Sequence, residues 1–307
     1  FKCSYCYESK GEKTVRYFPL ERIEKELDLF AKENIPQVFV LDPTYNANKQ
    51  RAIQLINLIA KKTPNTFYHF EARAEFIDKQ LAQAFTKIPC SLQIGLQSAN
   101  EKSLELVNRP MNKKQFIKNI NALNECGVIF GFDLIYGLPK ETLNSFLDGI
   151  DFALSLYPNH LEIFRLSVLP GTDLFDRAKE LGLTYETNPP YHIIKTESFS
   201  QNELNIAELY AKTCSLFYNE GRAVPWFNTI CHCLKIKPSA LFKKFYDKHK
   251  NLIERFDCTA LDKMSHKKIE ELQLDFVVEQ LKQKKLDRYT KLATDLIKLN
   301  GAYSRKI

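Results

Sequence analysis

The chain has 307 residues, 44% of them apolar, with 22 Phe and 14 Tyr, so it is large and apolar enough to fold around a sizeable core and is not a disordered chain. No run of about 18 apolar residues occurs, which argues against a membrane-spanning helix, and no secretory leader is visible. The formal charge of +7 is spread along the sequence. It is densest at 243–250 and 282–288, helix-like stretches where a solvated basic face competes with a nucleic-acid surface.

The first 190 residues alternate short apolar strands with amphipathic helices. Phe18-Pro19-Leu20 leads into a helix with Ile23, Leu27 and Phe30 on one face. Residues 38–41 read as a buried strand ending at Asp42-Pro43-Thr44-Tyr45-Asn46. A helix with Ile53, Ile56 and Ala60 follows, then a strand at 66–71, a helix with Leu81, Ala84 and Ile88, and a strand at 91–97. Phe116, Ile120 and Leu123 mark a longer helix, with Gly127 where a left-handed cap is wanted. Strand 128–136 ends in Gly137-Leu138-Pro139. After a helix through Phe146, Ile150 and Leu154, strand 161–168 ends in Leu169-Pro170-Gly171-Thr172. Five strands separated by single helices predict repeated parallel β–α units, with the chemistry at the strands' C-terminal ends. Beyond Asn188-Pro189-Pro190 strand signals fade, and 202–221, 239–249 and 266–286 read as helices. The expected division is 1–195 and a helical region, 196–307.

Eight cysteines stand at Cys3, Cys6, Cys90, Cys126, Cys214, Cys231, Cys233 and Cys258. Their irregular spacing fits metal-bound and buried free thiols in a reducing compartment, and hence a cytoplasmic location, better than a disulfide framework. The chain opens Phe1-Lys2-Cys3-Ser4-Tyr5-Cys6-Tyr7. Taken alone, C-x-x-C is half a zinc site, a redox pair or part of a cluster loop. Cys231-His232-Cys233 lacks finger-like spacing to it and reads more simply as partly buried thiols. Two local features also have plain structural readings: Asp42-Pro43 is a turn, and Glu71 with Arg73 is a surface ion pair.

Taken together, these segments resemble the radical S-adenosylmethionine (SAM) superfamily, whose motif is C-x-x-x-C-x-Φ-C with Φ aromatic. Cys3 and Cys6 match the second and third cluster ligands and Tyr5 the aromatic. The first Cys is expected two positions upstream of Phe1, so the chain is expected to be a fragment. The resemblance implies a 4Fe–4S cluster with one open iron and SAM bound to that iron. Asp42 would lie in the turn that contacts the methionine amino group. Glu71 and Arg73 would form the polar end of the next strand, and Gln97 and Ser98 belong to a Gly-Leu-Gln-Ser signature, with Gln93 where many relatives carry Glu. Asp133-x-Ile135-x-Gly137-Leu138-Pro139-x-Glu141-Thr142 looks like the following strand-end motif, in which Gly137 lets backbone approach the adenosyl group. Arg165 either pairs with the cofactor carboxylate or makes a structural ion pair, and Leu169 opens the last strand-end motif.

The fold implied is an α/β partial (β/α)6 TIM-like barrel lacking its first strand. The activity implied is reductive cleavage of SAM to a 5′-deoxyadenosyl radical for C–H activation on a small-molecule substrate, with an external electron donor such as flavodoxin or ferredoxin. The combination of motifs looks most like the group with an N-terminal cobalamin-binding domain, which would lie upstream of Phe1. A methylthiotransferase-like or tRNA-modifying enzyme is the alternative, and a non-catalytic iron–sulfur or zinc scaffold is the rival from another class.

Overall fold

A computed structural model describes residues 1–8, 14–256 and 264–305; Cys258 lies outside them. Helix α1 (Leu20–Lys32) leads to β1 (Gln37–Val40), α2 (Lys49–Lys62), β2 (Phe67–Ala72), α3 (Lys79–Phe85), β3 (Cys90–Gln97), α4 (Glu101–Leu106), α5 (Lys113–Cys126), β4 (Ile129–Tyr136), α6 (Leu143–Ser155) and β5 (His160–Arg165). The helix starts follow side-chain chemistry. Asn48, Asp78, Asn100, Asn112 and Thr142 each accept a backbone N–H of the first turn. Gly127, at φ 68°, closes α5 in the left-handed conformation its position predicts.

The five strands are all parallel and lie in the order β1-β2-β3-β4-β5. Sequential parallel neighbours joined by right-handed crossovers place their connecting helices on one face. That face carries the buried row Tyr68, Phe70, Leu92, Ile94, Leu96, Phe130, Phe132, Leu134 and Leu161. The alternate residues are only partly covered or exposed: Phe39, His69, Glu71, Ser91, Gln93, Asp133, Glu162 and Phe164. These are the repeated parallel β–α units that the alternation of elements predicts, and they agree with the α/β partial barrel that the resemblance implies.

The chain continues through α7 (Asp173–Asp176), a small antiparallel pair β6 (Thr184–Tyr185) and β7 (Ile193–Lys195), and α8 (Gln201–Cys214), which runs into a π-helical segment, Ser215–Glu220. Then come α9 (Phe227–Leu234), α10 (Pro238–Arg255), α11 (His266–Gln283) and α12 (Thr290–Ser304). The π-helical segment seals the sheet edge at β5. Asn219 accepts from Leu161 N–H at 3.0 Å and donates to Leu161 C=O at 2.9 Å, while Tyr218 O–H donates to Pro158 C=O at 2.5 Å. Beside it, fully buried Phe217 packs against Trp226, Phe227, Phe242, Phe245 and Phe276, with ring centroids 4.6–6.2 Å apart. No helix among the described residues is long and apolar enough to cross a membrane.

Phe217 therefore joins four helices around one ring. Phe217→Ala is expected to cost about 3–5 kcal/mol, from lost burial plus the cavity left behind. Urea denaturation checks this, and a loss under about 1 kcal/mol would contradict the central role of the ring.

Candidate active site at the C-terminal strand ends

The N-terminal loop is held over the strand ends by two backbone hydrogen bonds of Ser4. Its N–H donates to Val107 C=O at 3.0 Å, just after α4, and its C=O accepts from Leu174 N–H at 2.8 Å, in the first turn of α7. Cys6 N–H closes a turn onto Cys3 C=O at 3.0 Å, so the two cysteines flank one tight bend. Cys3 is buried and Cys6 half-buried. Phe1 stacks on the Arg73 guanidinium, 4.1 Å from ring centroid to Cζ, and lies against Phe76.

Arg109 binds this loop to the sheet. Its Nη1 lies 3.6 Å from Cys3 Sγ and its Nη2 donates to Gly95 C=O. Gly95 leaves the room: a methyl group there would meet Gln97 Nε2 and Arg109 Nη2, so the glycine lets both polar side chains lie over the backbone at the end of β3. Burial alone would raise the Cys3 thiol. The charge and hydrogen bond of Arg109, helped by a hydrogen bond from Tyr5, outweigh it and hold the thiol below its ordinary range. Burial raises the Tyr5 phenol, which stays neutral and able to donate. Burial likewise works against an ionised Glu75, yet the Arg73 hydrogen bond at 2.6 Å and its charge keep that carboxyl below its usual range.

The neighbouring strand ends are locked to one another. Asn46, in the turn that follows β1, is buried and takes both backbone groups of Arg73: Arg73 N–H donates to its Oδ1 at 3.0 Å and its Nδ2 donates to Arg73 C=O at 2.8 Å. Glu141, fully buried, accepts from Ser98 Oγ at 2.8 Å and from Gly137 N–H at 3.2 Å, joining the turns after β3 and β4. Burial pushes this carboxyl up to about 8, against the pull of the Ser98 hydroxyl and the N–H groups of Gly137 and Leu138.

The structure gathers Cys3, Tyr5 and Gln97 around Arg109, with the charge of Arg73 also acting on Cys3, and joins Ser98 to Gly137 through Glu141. Asp42 is exposed just past β1, and Glu71 is exposed on the helix-free face. For Arg165 the structure favours the structural one of two expected readings, and two further residues, Leu138 and Gly137, differ from the sequence expectation. Arg165 shares its face with buried Tyr136, opposite Glu162 and Phe164. Its Nε donates to Ile193 C=O at 2.8 Å and its guanidinium lies 3.9 Å from Glu208, so it makes the structural contact rather than facing Cys3. The Leu138 side chain is core. Gly137, at φ 90°, would carry its Cβ into Ile193 at 2.7 Å and Leu204 at 3.1 Å. Its lack of a side chain is thus required by β7 and α8, and the space a Cβ would fill is occupied by protein rather than reserved for an adenosyl group.

Sequence reasoning missed Arg109 altogether. Its only local mark is a basic residue between Asn108, itself at φ 59°, and Pro110. On the helix-free face, Gln93 Nε2 donates to Asp133 Oδ1 at 2.6 Å, and His160 pairs with Glu162 at 2.5 Å. Burial, reinforced by the charges of Glu162 and Glu71 and opposed by the Gln93 hydrogen bond, pushes Asp133 up to about 6. Cys231 is buried on α9, and among the described residues no group of three or more His, Cys, Asp or Glu forms a metal site.

The model of the radical SAM superfamily matches residues 1–153, and the chain belongs to that superfamily. Among curated proteins it is similar to the heme chaperone HemW of Buchnera aphidicola subsp. Schizaphis graminum, 26% identical over 210 residues, covering 64% of this chain and 55% of that protein. It is also similar to an uncharacterized methyltransferase of Pyrococcus horikoshii, 25% identical over 265 residues, covering 83% and 53%. The chain thus spans about half the length of these curated relatives. Among solved structures, that of the cobalamin-dependent SAM radical enzyme OxsB matches 96% of this chain and 53% of its own with a TM-score of 0.53 at 14% identity, a likeness of fold.

Two outcomes follow from this geometry. Gly137→Ala should destabilise the protein by about 1–3 kcal/mol with no cofactor present, because both the positive φ and the contact with Ile193 oppose a methyl group; denaturation of the cofactor-free protein reads this. Asp133 has a raised folded pKa, so its contribution to stability is complete below its unfolded value near 3.9 and is lost as pH rises through about 6. Relative to Asp133→Asn, the parent should lose up to about 3 kcal/mol between pH 4 and 7. Parallel stability curves across that window would refute the assignment.

Proposed function

We propose that this chain carries the catalytic centre of a radical SAM enzyme, with Cys3 and Cys6 supplying two thiolates to a 4Fe–4S cluster. The observation that carries the reading is the Arg109 guanidinium set against Cys3 Sγ at the C-terminal end of β3. The donor set fits such a group: two soft ligands one turn apart, one of them held toward its thiolate form by a half-buried cation. When bound, the cluster supplies the electron that splits the SAM sulfonium into methionine and a 5′-deoxyadenosyl radical, which takes a hydrogen atom from an unreactive C–H bond.

The chain's own residues do the positioning. Arg109 stabilises the Cys3 thiolate and is the cation available to the carboxylate of a bound amino-acid group. Tyr5, kept neutral, donates to the same thiolate. Gln97, its carboxamide over Gly95, is within the same rim and can hydrogen-bond a ribose or an amino-acid group. Asp42, Glu71, Arg73, the backbone of Gly137 and Pro139, and Leu169 complete the strand-end ring that would surround SAM. An external reductant, flavodoxin or ferredoxin in type, would deliver the electron.

Within this class, cobalamin-dependent chemistry such as methylation on a small-molecule substrate is favoured by the likeness to OxsB over nearly the whole chain and to a methyltransferase over 83% of it. A second reading, heme handling, is supported by the HemW relative.

The test uses the complete protein reconstituted with iron and sulfide without oxygen. It should hold about four irons per chain and, given a strong reductant, release 5′-deoxyadenosine from SAM. Cys3→Ala and Cys6→Ala should each lose the cluster. Full iron content in either variant would overturn the ligand assignment, and a fully loaded parent that never cleaves SAM would overturn the activity. Corrinoid bound in preference to heme supports the first reading, and the reverse supports the second.

A further inference from the structure

We propose that the outer face of α12 is a dimer interface, covered by α12 of a second copy of this chain running antiparallel to it across a two-fold axis beside Leu292. The inference concerns a surface away from the strand ends and does not depend on the reading of the SAM site.

The helix carries two apolar faces. Ala293, Ile297 and Gly301 are buried at i, i+4 and i+8, on the side where α12 packs on α11. Tyr289 at the N-cap, Leu292, Leu296, Leu299 and Tyr303 form a second line, about a third of a turn away at 3.6 residues per turn. Leu296 is half-buried, but Leu292, Leu299 and Tyr303 are 67%, 70% and 69% exposed. Scattered exposed leucines are ordinary on a protein surface, whereas a continuous apolar line marks a contact. The intervals along this line are 3, 4, 3 and 4 residues. That is the narrow seam with which one helix meets one other helix, tighter than the broad stripe of a core-facing helix. The platform is held in place from behind. Asn300 Nδ2 donates to Arg222 C=O at 2.9 Å, and Arg305 pairs with Glu270 at 2.7 Å.

Charge selects the occupant. Arg288 borders the line at its start, its guanidinium 4.8 Å from the Tyr289 ring centroid. Asp295 stands on the same edge one heptad further on, and both are exposed. An antiparallel copy with its axis midway between them sets Arg288 of each chain against Asp295 of the other, giving two ion pairs. The same axis lays Leu292 against Leu292 of the second copy, Tyr289 against its Leu296, and Leu299 against the aliphatic stem of its Lys285. The surface is thus complementary to itself, as a two-fold contact requires. With the flanking stems counted, the contact buries about 1,000 Å² in total, the lower end for a specific interface, so the dimer is weak and concentration-dependent.

The experiment uses the complete protein in sedimentation equilibrium from about 1 to 100 µM, a range set for a dissociation constant in the micromolar region. A reversible monomer–dimer equilibrium is expected. Leu299→Lys should weaken it at least about tenfold, with circular dichroism and iron content unchanged, since it removes two apolar contacts per dimer and adds two charges to the seam. Arg288→Glu and Asp295→Arg should each weaken it about threefold to tenfold, and the double variant should return to within about threefold of the parent. Under mild oxidation Leu292→Cys should give a disulfide-linked dimer and Tyr303→Cys should not, because the axis brings the first pair together and holds the second far apart. A complete protein that stays monomeric at 100 µM overturns the proposal, whether another segment or another protein covers the line. A dimer that Leu299→Lys leaves intact overturns it as well, because the contact then lies elsewhere. Failure of the double charge variant to recover, or cross-linking through Tyr303→Cys as readily as through Leu292→Cys, overturns the antiparallel arrangement.

Discussion

Right-handed crossover between five consecutive parallel strands leaves the connecting helices one side of the sheet, and most of the molecule's organisation follows from that constraint. Phe70, Leu92, Phe132 and Leu161 must be apolar because helices lie over them. The alternate residues, from His69 to Glu162, are free to be polar. The same direction of travel brings every strand-end turn to one rim. A loop carrying Cys3 and Cys6 can therefore be met at once by residues from the ends of β2 and β3 and from the segment after α4, although these are scattered along the sequence.

That rim holds ionisable groups at depths where an unpaired charge is untenable. Removing a guanidinium from water costs several kcal/mol unless its N–H groups find acceptors. Arg109 finds Cys3 Sγ and Gly95 C=O, and its positive charge in turn favours the thiolate. Glu141 has no cation beside it: burial raises its affinity for a proton, and one hydroxyl and the backbone N–H groups of Gly137 and Leu138 offset only part of that rise.

The strands and their parallel β–α alternation were legible because parallel strands buried on one face are short apolar runs with turn residues at their ends. Gly127 was legible as a helix stop because a left-handed cap has a strong residue preference. The hairpin β6–β7 was not, since strands of two and three residues have no period to read. Arg109 was hidden for a different reason: its partners lie 14 and 106 residues away along the chain, and nothing local distinguishes it from a surface arginine. Arg165 misled in the other direction. Its place at a strand end is the right address for a site residue, but one step of alternation along β5 turns it to the helix-covered face.

Gly137 shows why a motif glycine need not mark the cofactor it accompanies. A glycine at a strand-end turn is compatible with close approach of a ligand on one side and of protein on the other, and the sequence cannot say which. Here Ile193 and Leu204 occupy the side where a Cβ would lie, while the Gly137 N–H is already committed to Glu141. The turn is therefore shaped before any ligand arrives, by chain nearly 60 residues further along. Preorganisation of this kind removes an ordering cost that binding would otherwise carry. It also makes the packing of β7 and α8, together with the Ser198 and Glu197 contacts of the segment between them, part of what sets the geometry of the site.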